Sequence, residues 1–274
     1  VALPGAASTG TELDWRVWLS GASSGLGAAL ARELGARGAR LALFARGAER
    51  LGEVREGILA ARPGAEVIVQ TGDVRDRGRV VAAVREAEAR FGAIDVLLLN
   101  AGIGDSLFPD RFSAELVERT VAVNFLGAVH GIEAALPGML ARRAGTIAAV
   151  SSIAAFRGFP TSAPYCASKA ALTVFLEGLR LDLRGRGVRV ITISPGFIKT
   201  PLTDRNRFPM PFLQPADAAA RRIVEGIRRG KREIHFPKRL TVPLKLFRCL
   251  PGTVQDWLIA RLMKDAYGKN APGS

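Results

Sequence analysis

Tyr165 and Lys169 stand four residues apart, and Ser152 lies thirteen residues before the tyrosine. Four residues is about one helical turn, so the phenol and the ammonium project from one face. A cation beside a phenol favours the phenolate and draws its pKa down from the usual value of about 10. When a carbonyl carbon is reduced, negative charge develops on its oxygen. A site for that reaction needs a proton donor and a hydrogen-bond donor within about 3 Å of the oxygen. Tyr165 is the candidate proton donor and Ser152 the candidate holder of the carbonyl. Tyr-x-x-x-Lys alone is equally the spacing of a surface helix pair, so a second signal has to support this chemistry. Ser151 is adjacent and equally a serine; the interval to Tyr165 and the alternation along the preceding strand favour Ser152.

The elements that must carry these groups alternate short apolar runs with longer helical patterns. Strands are expected near 16–20, 40–45, 66–71, 95–99, 145–151, 188–194 and 232–236, with helices between them. Such alternation predicts an α/β fold, a doubly wound parallel sheet (Rossmann fold) of about seven strands with helices on both faces. Right-handed crossovers place ligands beyond the carboxyl ends of the strands, at the switch in strand order. Gly21, Asn100, Ser152 and Pro195 all follow strands at that end, so the motifs should meet in space. The first strand, Arg16-Val-Trp-Leu-Ser20, runs into Gly21-Ala-Ser-Ser-Gly25-Leu-Gly27 and then an apolar-periodic helix. Glycines there permit a tight turn and close backbone approach, and the helix offers free N–H groups to a pyrophosphate.

With these motifs in order, the chain resembles the short-chain dehydrogenase/reductase superfamily over roughly residues 15–236. The family's Thr-Gly-x-x-x-Gly-x-Gly is matched at 20–27, with Ser20 keeping a hydroxyl in place of threonine. Its Asn-Asn-Ala-Gly segment appears as Leu99-Asn100-Ala101-Gly102. Its active-site residues fall on Asn124, Ser152, Tyr165 and Lys169, and its Pro-Gly segment on Pro195-Gly196, with Ile198 and Thr200 beyond. The resemblance implies cofactor contacts from Gly21, Ser23, Ser24, Gly25, Leu26, Gly27, Asn100, Ala101, Gly102, Pro195, Gly196, Ile198 and Thr200. It also implies adenine contacts from Asp73 and Val74, although Asp73 could equally cap a helix. Lys169 is expected to hold the nicotinamide ribose as well as to lower the Tyr165 pKa. Asn124 is implied to retain a water linking Lys169 to solvent; its plainer reading is a helix-bending residue bonded to backbone, and the two are compatible. Dimers or tetramers through the long helices are implied too.

The cofactor expected is NADP(H). The second strand ends Leu41-Ala-Leu-Phe-Ala45-Arg46 and offers no carboxylate to a ribose. Arg46 sets a permanently charged fork where a 2′-phosphate would lie, against the alternative that it is one more arginine in an arginine-rich chain. The expected substrate is a small hydrophobic ketone or secondary alcohol. Phe197–Gln214 is too long and proline-interrupted for a simple connection, and Phe208, Met210, Phe212 and Leu213 would close a lid over the cleft, with Phe156 and Phe159 adding to the wall. The same residues could instead only pack the lid onto the core.

Length and composition bound the rest. The 274 residues, 48% hydrophobic, suit one domain at 15–236, with a flexible tail at 1–14 and a basic amphipathic extension at 237–274. A net charge of +14 invites nucleic acid, but the arginines are scattered over nearly every helix, so no nucleic-acid partner is expected. Cys166 and Cys249 lack metal-type spacing, no metal is expected, and a reducing cytoplasmic setting is the simplest reading. No apolar run approaches the roughly 20 residues that span a bilayer. In 238–264, leucines, Phe247, Trp257 and Ile259 alternate with Lys245, Arg248, Arg261 and Lys264. That pattern fits peripheral contact with an anionic membrane, or packing on this chain or on a second subunit. Two other functions share parts of this pattern. A catalytically silent dinucleotide sensor has no use for the Ser-Tyr-Lys relay. An epimerase or dehydratase would share the Tyr and Lys but carries a larger C-terminal domain.

Overall fold

In the computed structural model, which describes residues 12–204, 206 and 209–268 (side chains to 261), seven parallel strands form the central sheet. They are β1 (Arg16–Ser20), β2 (Arg40–Ala45), β3 (Val67–Thr71), β4 (Val96–Leu99), β5 (Gly145–Val150), β6 (Val188–Pro195) and β9 (Glu233–Phe236), in the order β3-β2-β1-β4-β5-β6-β9. Two short strands, β7 (Ile198–Lys199) and β8 (Gln214–Pro215), pair separately. The order reverses between β1 and β4, and there the strand ends diverge to leave a crevice.

The strands are apolar on both faces because both faces are covered. In β1, Val17 and Leu19 pack with α1 (Gly25–Ala36), α2 (Ala48–Ala61) and α7 (Ala216–Arg228). Trp18, pointing the other way, packs with α3 (Arg77–Phe91), α5 (Gly127–Arg142) and α6 (Ala163–Asp182). Its indole donates to Gln70 Oε1 at 3.1 Å, and Gln70 Nε2 donates to the Ala83 carbonyl at 2.7 Å, so this buried polar pair is satisfied.

Three expectations need correction. Residues 12–14 are not loose: Leu13 is 2% exposed and its N–H donates to the Arg37 carbonyl, while Glu12 and Asp14 pair with Arg62 and Arg40. The helix that caps itself with an aspartate is α3, and the residue is Asp76, whose Oδ1 accepts from Arg79 N; Asp73 instead accepts from Arg75 N. Finally, α4 (Ala114–Val121), a π turn at Ala122–Leu126 and α5 form one stretch, Ala114–Arg142, long and apolar enough by composition to cross a membrane. It is a core helix here: Ala128, Ile132, Ala135 and Met139 are buried on the sheet, and Gly131 abuts Leu99, Trp18 and Leu97.

The extension is helical. α8 (Lys238–Phe247) and α9 (Gly252–Gly268) pack on this same domain through Thr241, Gln255 and Ile259. The side chain of Lys264 and residues 1–11 lie outside the described set.

Candidate active site

The crevice is a cleft of about 680 Å³. At its floor, Gly21 and Gly25 adopt left-handed φ of 67° and 51°, which glycine reaches at little cost. A Cβ on Gly27 would lie 1.9 Å from the Gly21 carbonyl oxygen, so the turn and α1 touch in a way no side chain allows. Asn100 Nδ2 donates to that carbonyl at 3.1 Å. The Ser20 hydroxyl accepts from the N–H groups of Asn100 (3.1 Å) and Ala101 (3.3 Å), binding the ends of β1 and β4 across the switch point. Serine thus does the work expected of threonine. Ser24, the residue before α1, makes no side-chain capping bond, which leaves the N–H groups of the first turn open to an anion. Thr200 closes on this turn from the opposite wall, within 3.1 Å of where a Gly25 Cβ would stand.

Every residue expected to contact cofactor lines the cleft: Gly21, Ser23, Ser24, Gly25, Leu26, Gly27, Arg46, Asp73, Val74, Asn100, Ala101, Gly102, Pro195, Gly196, Ile198 and Thr200. Val74 is held by His130 Nδ1 on its carbonyl at 2.9 Å and by close packing on Gly127. Asp73 lies well below the usual carboxylate range, chiefly through its hydrogen bond with Arg75, with a smaller pull from Arg46. Sequence reasoning missed Arg50, which lies in the first turn of α2 and lines the cleft with Arg46, the residue that follows β2.

At the other end of the cleft stand Ser152, Tyr165 and Lys169. The neighbouring serines separate by role. Ser151 is 1% exposed, its hydroxyl donating to the Lys169 carbonyl at 3.1 Å and meeting Thr173 Oγ1 at 2.7 Å, so it fastens β5 to α6. Ser152 turns toward Tyr165, its Oγ accepting from Ala154 N at 3.1 Å. Lys169, 3% exposed, donates from Nζ to the Val150 carbonyl at 2.7 Å and lies 5.8 Å from the Tyr165 ring centroid.

Burial lowers the Lys169 ammonium to about 8. Burial also pushes the Tyr165 phenol up, with hydrogen bonding to Ser152 drawing it partly back. The expected lowering of the tyrosine by Lys169 is not among the influences on the phenol, which burial dominates, and the ammonium is turned onto the Val150 main-chain carbonyl. Burial thus favours the neutral phenol over the phenolate.

Asn124 sits inside the π turn, 1% exposed. Its Oδ1 accepts from Ile103 N at 2.8 Å, and its Nδ2 donates to the Ile103 carbonyl and to Ser168 Oγ, both at 2.9 Å. The backbone-bonded, helix-distorting reading of this residue holds. A Cβ on Gly102 would touch both Asn124 Oδ1 and Lys169 Nζ at 3.4 Å, so the asparagine stands beside the ammonium.

The expected substrate wall is not brought to the cleft. Met210 and Phe212 are absent from its lining. Phe212, at a left-handed φ of 59°, is 51% exposed, and Met210 Sδ takes a contact from Asn206 Nδ2 at 3.5 Å. Phe208 lies outside the described residues. Phe156 is buried under Lys245, 5.5 Å from its ring, and neither it nor Phe159 lines the cleft. Leu202, beside Tyr165 across Gly104, and Ile103 are among the apolar residues that line the cleft.

The short chain dehydrogenase family model matches residues 16–209. An uncharacterized oxidoreductase of Myxococcus xanthus (strain DK1622) is 40% identical over 252 residues, covering 92% of this chain and 99% of that one. Among solved structures, levodione reductase aligns with a TM-score of 0.78 at 26% identity, covering 84% of this chain and 99% of its own. A short chain dehydrogenase/reductase from Burkholderia phymatum in complex with NAD gives 0.77 at 27% identity, covering 84% and 91%. The chain belongs to the short-chain dehydrogenase/reductase superfamily, and is an oxidoreductase of small molecules bearing CH–OH or C=O groups that works with a nicotinamide dinucleotide.

Proposed function

We propose that the protein interconverts a hydrophobic ketone and its secondary alcohol with NADP(H), using Tyr165 as the general acid and base. The observation that carries this reading is one cleft with Ser152, Tyr165 and Lys169 at one end and Arg46 and Arg50 at the other. Bound in that cleft, the dinucleotide supplies or accepts the hydride.

The chain's own residues do the rest. The Ser152 hydroxyl holds the carbonyl oxygen and Tyr165, kept protonated by burial, gives it a proton as negative charge develops there. Lys169, still mostly ammonium at neutral pH, stabilises the phenolate left behind. Asn124 and Ser168 fix the backbone at Ile103 and the helix turn bearing Tyr165, since Ser168 Oγ donates to the Tyr165 carbonyl at 2.8 Å. In the oxidative direction the same groups act in reverse. The lack of a carboxylate at the end of β2, Leu41–Arg46, and the presence of two guanidiniums in the cleft support NADP(H) over NAD(H), although the Burkholderia relative was solved with NAD. The apolar substrate reading now rests on Leu202 and Ile103.

NADPH oxidation measured at 340 nm with ketones of increasing chain length tests this directly. Turnover should rise with chain length and collapse in Tyr165→Phe while NADPH binding persists. Near-native rates in that variant would refute the mechanism. Tight nucleotide binding without turnover of any carbonyl would favour the sensor.

A further inference from the structure

The C-terminal helices present two different faces. The inner face carries Thr241 (0% exposed) on α8 and Gln255 and Ile259 (6% and 9%) on α9. Thr241 Oγ1 meets His235 Nδ1 at 2.7 Å, and Gln255 Nε2 donates to the Leu250 carbonyl at 2.6 Å. Side-chain contacts fasten this face to the domain: Lys245 to Glu233 at 2.6 Å and over the Phe156 ring, Arg157 to Asp256, and Leu240 against Gly196. Phe156, Arg157 and Gly196 belong to the segments that follow Ser152 and Pro195, so the helices are strapped to the rim of the cleft.

The outer face is apolar and open. Val242 and Leu246 repeat at i, i+4 on α8, Leu250 follows in the connection, and Val254 and Trp257 repeat at i, i+3 on α9. Leu246 is 66% exposed and Trp257 59%, with Val242, Leu250 and Val254 at 40–42%. Around them stand the exposed cations Lys238, Arg239, Arg248 and Arg261, the last lying over the Trp257 ring at 5.6 Å. The one acidic residue of 238–261, Asp256, is taken up by Arg157.

From this pattern we infer that the outer face of α8–α9 docks on an anionic lipid bilayer. A belt of Leu, Val and Trp gains by entering the acyl boundary, and the surrounding guanidiniums and ammonium gain from anionic headgroups. A second copy of this chain is the poorer occupant, since a self-complementary contact would set these cations against their own copies in a protein of net charge +14. Nucleic acid would use the cations and leave the apolar belt in water.

The test uses the full chain and vesicles of phosphatidylcholine alone or mixed equally with phosphatidylglycerol, and does not depend on the substrate. Trp15 and Trp18 are 0% exposed, so quenching by brominated acyl chains reports Trp257. The expected result is co-sedimentation with the anionic vesicles and a blue-shifted, quenched Trp257. Leu246→Ser with Trp257→Ser should weaken partitioning by about tenfold or more. Arg239→Gln with Arg248→Gln should weaken it by about fivefold per charge on anionic vesicles and leave neutral ones unaffected. Circular dichroism checks that these surface variants keep the fold. No binding to anionic vesicles, or binding indifferent to both pairs of substitutions, overturns the inference. So does a vesicle-free dimer that Trp257→Ser dissociates, which would assign the face to a second copy.

Discussion

Replacing Arg46 and Arg50 singly and together by alanine tests the cofactor assignment at its weakest link. Both residues are exposed, Arg46 just after β2 and Arg50 in the first turn of α2, and both line the cleft with Gly72 and Asp73. A charge-assisted hydrogen bond contributes about 1.5–3 kcal/mol net, and solvent exposure argues for the lower figure. Each single variant should then raise the KM for NADPH by about tenfold at ~1.4 kcal/mol per decade. The double variant should approach a hundredfold, somewhat less if both arginines share one phosphate, because groups with a common partner are not additive. NADH carries no 2′-phosphate, so kcat/KM with NADH should stay within about twofold. Added salt should raise the NADPH KM of the native protein and have less effect on the double variant. Steady-state kinetics with both cofactors at low and moderate ionic strength measures all of this. Equal losses with NADPH and NADH would show that the arginines support the fold of the β2–α2 turn, and NADP(H) selection would have to be abandoned.

Ser152→Ala should lose most turnover while NADPH binding is kept; Ser151→Ala should mainly lower the melting temperature, since its hydroxyl ties β5 to α6. The reverse pattern in activity would displace the catalytic serine by one residue. Gly27→Ala should abolish cofactor binding in fluorescence titration, because its Cβ meets backbone at 1.9 Å and the turn has to open; unchanged affinity would mean that the turn is not the phosphate cradle. Burial lowers the Lys169 ammonium from its ordinary 10.5 to about 8 in the folded chain. Its burial therefore costs stability below pH 8, and the cost is relieved as pH rises from 8 toward 10.5, at up to about 1.4 kcal/mol per pH unit. In urea unfolding, any stability advantage of Lys169→Met over the native chain should shrink across that window, and a gap independent of pH would contradict the buried ammonium.

The strand pattern was legible because both faces of the sheet are covered: the central β-runs are largely apolar, and the seven strands begin and end within about a residue of their expected limits. The glycine turn was legible too, since steric demands on Gly21, Gly25 and Gly27 leave few substitutes. Sequence spacing favoured Ser152 over Ser151 without deciding between them, and the packing ties the Ser151 hydroxyl to Lys169 and Thr173. Spacing along one chain fixes which side chains share a helix or strand face, and that is local geometry.

What the sequence alone could not decide depends on groups distant along the chain. Which influence dominates at Tyr165 turned on its burial, and the Lys169 ammonium is taken up by the Val150 carbonyl, nineteen residues away along the chain. The apolar tip expected to close the cleft is turned outward at Phe212, and Leu202 stands beside Tyr165 instead. The amphipathic extension could have packed in several ways; only the contacts of Thr241, Lys245 and Asp256 with the domain determine which face remains open. Local periodicity sets what each segment is able to bury, and tertiary packing chooses what it buries against.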